Sequence, residues 1–191
     1  MLWLAYEMTN ENRYKKIASY QIKAYDERIT NKIGVNHHDL GFLYTPSAVA
    51  GYKVTQNERA KNAALKAAEH LIGRFKEKGE FIQAWGDLDD PQAYRLIIDC
   101  NMNVPLLFWA TEVTGDPKFR EVATKHINTA ASVVLREDSS THHTYYFDPE
   151  TGKPVKGVTA QGASDESAWA RGQAWGVYGF PLAYSYLKAV S

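Results

Sequence analysis

Apolar positions recur at helical spacing along this chain, in segments of two kinds that alternate. In "LGFLYTPSAVAGYKV" (40–54), "NMNVPLLFWATEV" (101–113) and "GQAWGVYGFPLAYSYL" (172–187), apolar or small residues cover most of the circumference. Helices of that kind are buried on several sides. In "RYKKIASYQIKAYDERI" (13–29), "RAKNAALKAAEHLIGRFKEK" (59–78) and "KFREVATKHINTAASVVLRE" (118–137), an apolar stripe faces a charged one, which places the helix outside. Strand-like alternation is nearly absent. An inner helix, a tight polar turn and an outer helix therefore repeat, and "LAYEMTNENRYKKIA" (4–18) lies over "WATEVTGDPKFREVA" (109–123), pairing Ala5 with Ala110, Glu7 with Glu112 and Thr9 with Thr114. A weaker third copy puts Thr55 at the same corner. Repeats of this size predict stacked helical hairpins. The fold class is all-α, a layered solenoid or, if closed, an α/α toroid.

The connections are unequal. Turns from inner to outer helix take a few residues, and their Thr, Asn, Asp and Pro117 suit helix starts. The returns are long: Thr30 to Asp39, Gly79 to Asp99, and Glu137 to about Ala168. Long ordered loops in a compact fold are usually functional. All three lie at the N-termini of the inner helices, which makes that end the candidate active face.

Two inner helices open with an aspartate, Asp39 in "NHHDLGF" and Asp99 in "IIDCNMN". Taken singly, each reads as a helix cap. Taken together, at one mouth among aromatic and histidine-rich loops, they match the paired carboxylates of glycosidic acid/base chemistry. A helix N-terminus lowers a carboxyl pKa and a general acid needs it raised. A second carboxylate nearby supplies the upward push by repulsion. The loops add Trp85, Tyr94 and Arg95, then His142 and His143 beside Tyr145 and Tyr146, and Trp169 and Arg171 at the last inner helix. Flat rings stack on sugar C–H faces and arginine forks onto carboxylates. The competing readings are core packing for Trp85 and Trp169, and an ion pair with Asp165 or Glu166 for Arg171.

Composition narrows the classes. The 191 residues carry 22 basic and 22 acidic side chains, a net charge of zero, with no clustered positive field for nucleic acid or a membrane surface. No apolar run approaches a membrane span. Cys100 is the single cysteine, so no internal disulfide forms and a reducing, cytoplasmic setting fits. "HHD" and "HH" invite a metal reading, but adjacent histidines on regular backbone diverge and no HExxH or Cys/His spacing exists. No metal is expected. Nor is a cofactor, because no phosphate-binding glycine loop is present, and no G-x-S-x-G elbow supports a serine triad.

The strings "NHHDLGFLY", "RLIIDCNMNVPLLFWATEVTGD", "STHHTYYFDPETG" and "ESAWARGQAWGVYGF" resemble, in order and over nearly the whole chain, the unsaturated glucuronyl hydrolases of glycoside hydrolase family 88. The resemblance implies a six-hairpin (α/α)6 toroid whose mouth binds an unsaturated uronic acid at the non-reducing end of a lyase-generated glycosaminoglycan oligosaccharide. It implies hydration of the C4=C5 enol ether with Asp99 as general acid/base and Asp39 as second essential carboxylate. It assigns substrate contacts to His143, Gln161, Trp169 and Arg171, with Trp85 a stacking candidate and His142 an alternative to His143. No metal or covalent intermediate is called for. The sister unsaturated rhamnogalacturonyl hydrolases share fold and mechanism but match these strings less well. About seven helices are expected against the family's twelve. One incomplete domain over 1–191 is therefore expected to expose apolar inner surfaces, to self-associate, and to be weak or inactive alone. A non-catalytic sugar-binding remnant and a helical-repeat scaffold are the other readings.

Overall fold

The computed structural model describes residues 2–188. Helices α1 (Leu2–Thr9), α2 (Asn12–Thr30), α3 (Leu40–Tyr44), α4 (Ala50–Thr55), α5 (Glu58–Ile72), α6 (Pro105–Thr114), α7 (Lys118–Val134) and α8 (Ala170–Lys188) carry the fold. A π-turn at Thr45–Val49 joins α3 to α4, making them one bent inner helix. Pro46 lies inside that turn and has no N–H to donate, a recognised cause of a helix bend. Inner helices α1, α3–α4, α6 and α8 alternate with outer helices α2, α5 and α7, as the periodicity predicts.

The three tight corners are built alike. Asn10, Gln56 and Gly115 each adopt a left-handed conformation, with φ of 55°, 55° and 74°. Their N–H groups close onto Tyr6, Tyr52 and Thr111 carbonyls at 2.7, 2.8 and 2.8 Å. Thr9, Thr55 and Thr114 hydrogen-bond back to the carbonyls of Ala5, Gly51 and Ala110. The repeated threonine thus closes the helix it ends rather than capping the next. At the start of α5 capping falls to Asn57, whose Oδ1 accepts from Ala60 N–H at 3.1 Å, and at the start of α7 Asp116 Oδ1 accepts from Lys118 N–H at 3.0 Å.

The core lies between these layers. Ala60, Ala63, Ala64, Ala67 and Ala68 form a wholly buried stripe on α5, and its small side chains let α2 and α3 approach closely. Leu40, Tyr44, Leu71, Leu106, Leu107, Phe108 and Phe119 fill the centre. At about 25 cal/mol per Å2 of apolar area removed from water, each contributes roughly 1.5–3 kcal/mol.

Two expectations are corrected. Outer helix α5 stops at Ile72 rather than Lys78. Beyond its Gly73 cap the chain turns into strand β1 (Phe75–Lys76), paired with β2 (Phe81–Ile82). The near absence of strands is also revised, because β3 (Arg95–Ile97), β4 (Thr144–Phe147) and β5 (Pro154–Val158) form an antiparallel sheet in the order β3-β4-β5. These strands are too short to print a period-2 pattern. Helix α8 presents the exposed apolar inner surface that was expected: Gly172, Gly176, Gly179 and Ala183 are its buried residues, while Val177, Tyr178 and Tyr184 stand 67%, 57% and 63% exposed. No helix among the described residues is long and apolar enough to cross a membrane.

Candidate active site

The three long returns are tied to one another by backbone pairing. His38 N–H donates to the Ala84 carbonyl, Ala84 N–H to the Arg95 carbonyl, and Ile98 N–H to the His143 carbonyl, each at 3.0 Å. Strand β3 therefore ends two residues before Asp99, with His143 just before its partner β4. Asp99 lies in a 3-10 turn, Ile98–Met102, that precedes α6. The α-helix proper waits for Pro105, which suits a first-turn position. Gly41 of α3 rests against the Asn103 backbone, where a Cβ would overlap it, and Phe42 N–H donates to Asn103 Oδ1 at 2.8 Å. That contact presses the start of α3 onto the 3-10 turn.

Asp39 and Asp99 consequently face each other. One oxygen of each lies, with His38 Nε2, in a group of atoms within 4.8 Å of one another. His38 Nε2 is 3.3 Å from Asp39 Oδ1 and 3.4 Å from Asp99 Oδ1. Neither aspartate behaves as a cap: Asp39 is at the N-cap of α3 without a side-chain capping bond, and Asp99 Oδ1 has no hydrogen-bond partner. Both side chains still reach solvent, at 25% and 23% exposure. Burial, followed by the Asp39 charge, pushes the Asp99 carboxyl up to about 7, against weaker pulls from nearby backbone N–H groups and Arg171. Burial also raises Asp39, opposed by His37 and the Asn103 amide. The repulsion inferred between the two is present, but desolvation is the larger cause.

The third return forms the rim. His143 is buried, and its Nδ1 accepts from Ala160 N–H at 3.0 Å and lies 3.2 Å from Thr159 Oγ1. That leaves Nε2 as the protonated nitrogen. The His143 ring lies 4.4 Å from that of Trp169, and the Arg171 guanidinium sits 4.4 Å over the indole. Arg171 donates to the Gln161 side-chain oxygen. The ion pair of Arg171 with Asp165 or Glu166 does not form among the described contacts: Asp165 Oδ1 instead accepts from Thr159 N–H at 2.7 Å. Trp169 is half-buried, and Trp85 is 43% exposed, stacked on His37 at 4.6 Å. Neither is a core residue. His142 lies with Arg136 and Tyr145 rather than with Trp169, because successive residues entering β4 point oppositely.

The model of glycosyl hydrolase family 88 matches residues 1–191. The chain belongs to glycosyl hydrolase family 88. An unsaturated chondroitin disaccharide hydrolase of Streptococcus agalactiae is 56% identical over 98% of this chain and 47% of the relative. The crystal structure of the unsaturated glucuronyl hydrolase from Bacillus sp. GL1, described as responsible for the degradation of glycosaminoglycan, superposes with a TM-score of 0.96 at 46% identity, over 98% of this chain and 50% of that one. A mutant Streptococcus agalactiae unsaturated glucuronyl hydrolase complexed with dGlcA-GalNAc6S gives 0.79 at 49% identity, over 98% and 44%. The chain spans about half the length of these relatives. Its helical hairpins are part of the α/α toroid of its structural neighbours.

Three residues of this family 88 site escape the sequence reading. His38 is fully buried between the carboxylates, and its place beside Asp39 in "NHHD" was the available signal. Arg74, also buried, donates to the carbonyls of Gln83 and Gly86 and to Asn36 Oδ1, bracing the loops that carry His37 and Trp85. Arg136 donates to the carbonyls of Asp165, Glu166 and Ser167, clasping the approach to α8. Nothing in their local sequence marks either arginine. His38, Asp39 and Asp99 are also where the described residues could crowd a cation. A metal-binding histidine normally donates its second ring nitrogen to a partner, and His38 Nδ1 is buried without one. A carboxyl protonated to about pH 7 suits proton transfer better.

Proposed function

We propose that the protein removes an unsaturated uronic acid from the non-reducing end of lyase-generated glycosaminoglycan oligosaccharides, by hydration of the C4=C5 enol ether. The observation that carries this reading is the Asp39–Asp99 couple, with Asp99 poised near neutrality. An inverting glycosidase separates its carboxyls by about 6.5–9.5 Å to lodge a water between them. Here the oxygens lie within 4.8 Å, which suits a proton-handling couple on one side of the sugar.

In this reading Asp99 gives its proton to C4 as the double-bond electrons move to bind it, leaving C5 electron-poor. Water adds at C5 and passes its proton to the Asp99 carboxylate. The resulting hemiketal opens to a ketone and releases the remaining saccharide. Asp39 stays ionised, keeps the Asp99 pKa high and contacts ring hydroxyls. Trp169 supplies a stacking face, with Trp85 as a second one across the mouth. Arg171, held by Gln161, addresses the sugar's anionic or hydroxyl groups. The Nε2–H of His143 donates to the ring substituents, and His142 supports the loop through Arg136 instead of touching sugar.

The test is incubation with an unsaturated chondroitin disaccharide, following loss of the enol-ether ultraviolet absorbance, with saccharide binding measured in parallel by calorimetry. Consumption that Asp99→Asn abolishes while binding survives supports the proposal. Binding without consumption by the unmodified chain would reduce it to a sugar-binding unit. No binding would leave a scaffold, and preference for a rhamnogalacturonan-derived substrate would reassign the sugar.

A further inference from the structure

Among the described residues, His38 brings one ring nitrogen close to both carboxylates, and no capping, packing or loop-bracing need accounts for its two nitrogens. Its backbone N–H is used in the pairing to Ala84, but neither ring nitrogen has a hydrogen-bond partner, and neither has Asp39 Oδ1 nor Asp99 Oδ1. Three unsatisfied buried polar atoms thus converge, 3.3 and 3.4 Å along the two sides that meet at Nε2. Buried polar atoms left unpaired are costly, so their convergence calls for a shared proton. An ionised Asp39 facing an imidazole lone pair would be repelled, which selects the tautomer with hydrogen on Nε2.

We propose that His38 is a positioning residue for the carboxylate couple, a neutral imidazole whose single Nε2–H is shared between Asp39 Oδ1 and Asp99 Oδ1 and fixes how their one proton is divided. This rests on the hydrolytic reading of the same site only for its significance in turnover. The groups acting on the trio from neighbouring elements are His37 from the same loop, Arg74 after α5, Arg95 in β3, His126 in α7, Arg171 in α8 and Cys100 in the 3-10 turn. The cationic ones disfavour a second positive charge on His38, and its burial does so more strongly. The imidazole therefore donates as a neutral group and does not form an ion pair.

The test uses nuclear magnetic resonance on the 191-residue chain, so it needs no turnover. Failure of the sugar assay and failure of this proposal are then separate results. In the unmodified protein, nitrogen-15 shifts should report the Nε2–H tautomer of His38, with that resonance moving as Asp99 titrates. An Nδ1–H tautomer, or a charged imidazolium persisting above about pH 7, overturns the proposal. Carboxyl carbon-13 titrations of two variants complete it. His38→Leu keeps the site filled and removes the donor, so Asp99 and Asp39 together should lose their protons about one pH unit or more higher, the size of one hydrogen bond to a charged group. His38→Gln carries an amide N–H to the position of Nε2 and should stay within half of that shift. Unmoved or lowered titrations in the leucine variant, or glutamine and leucine variants that behave alike, would refute a specific role for the shared hydrogen. If the leucine variant does not fold, the tautomer and the glutamine titration still decide.

Discussion

Replacing Asp99 with asparagine keeps the shape of the side chain and removes its charge, and the structure sets what that does to stability as a function of pH. The Asp99 carboxyl is raised from 3.8 to about 7, by burial first and the Asp39 charge second. A raised acid pKa means that the folded state keeps a proton that the unfolded chain has already lost. Stability then falls as pH rises. The penalty is absent below the unfolded value of 3.8, grows through the interval, and is complete above about 7. At about 1.4 kcal/mol per pH unit the full interval corresponds to roughly 4 kcal/mol. Between about pH 5 and about pH 8 the unmodified protein should therefore lose roughly 3 kcal/mol that the Asn variant does not. With side-chain exposure of 23%, less than a third of the group lies in solvent and little of this is screened. Urea unfolding followed by tryptophan fluorescence at a series of pH values gives both curves, and their difference isolates residue 99. The gap should widen as pH rises and then level off near neutrality. A gap that stays constant from about pH 5 upward would mean that Asp99 ionises as an ordinary aspartate, and the acid role argued for it would go with it.

Gly41→Ala drives a methyl group into the Asn103 backbone and should cost about 2–3 kcal/mol of stability; a denaturation midpoint equal to that of the unmodified chain would show that α3 and the 3-10 turn are not pressed together. Arg136→Ala removes the donor to three carbonyls of the 165–167 segment, so amide exchange should accelerate from Thr159 to Gln173 and leave α5 and α6 protected. Equal protection in both proteins would contradict the clasp. Trp169→Ala takes away both the stacking face and the support under Arg171, and should weaken saccharide binding about three- to tenfold, read by calorimetry in an Asp99→Asn background that cannot consume the ligand. Unchanged affinity would move the sugar elsewhere.

The fold was legible where periodicity is long. One continuous amphipathic face suffices to assign an outer helix, and the three Thr corners register the repeat. Short elements left no such trace: β1 to β5 hold two to five residues each, and β3 pairs with β4 across some fifty residues of chain. The end of α5 was misjudged because the residues after Gly73 read as amphipathic, whereas Arg74 turns inward to bind three loop acceptors. The apolar pattern of α8 alone reads as buried, and it is the helix count against the resembled family that anticipates the exposure of Val177, Tyr178 and Tyr184. At the mouth, the meeting of Asp39 with Asp99 followed from helix order alone. The opposite orientations of His142 and His143 required a strand that the pattern did not reveal.

Two aspartates in one opening would be equivalent if repulsion alone set their protonation, since each acts equally on the other. Their surroundings break the tie. Asp39 has the His37 ring and the Asn103 amide beside it, and the amide favours its charged form. The His37 ring is held there by Trp85, stacked at 4.6 Å, and by its Nδ1, which accepts the Asp39 N–H at 3.1 Å. Asp99 sits beside buried Cys100 in the 3-10 turn ahead of α6, where burial outweighs the weaker N–H groups and carries its carboxyl to about 7. The proton therefore resides on Asp99 and the charge on Asp39, and Asp39 then reinforces the difference by opposing ionisation of its neighbour. The returns that bring the two side chains together also decide which of them is the acid: the first surrounds Asp39 with polar partners, and the second threads Asp99 into the core before its helix begins.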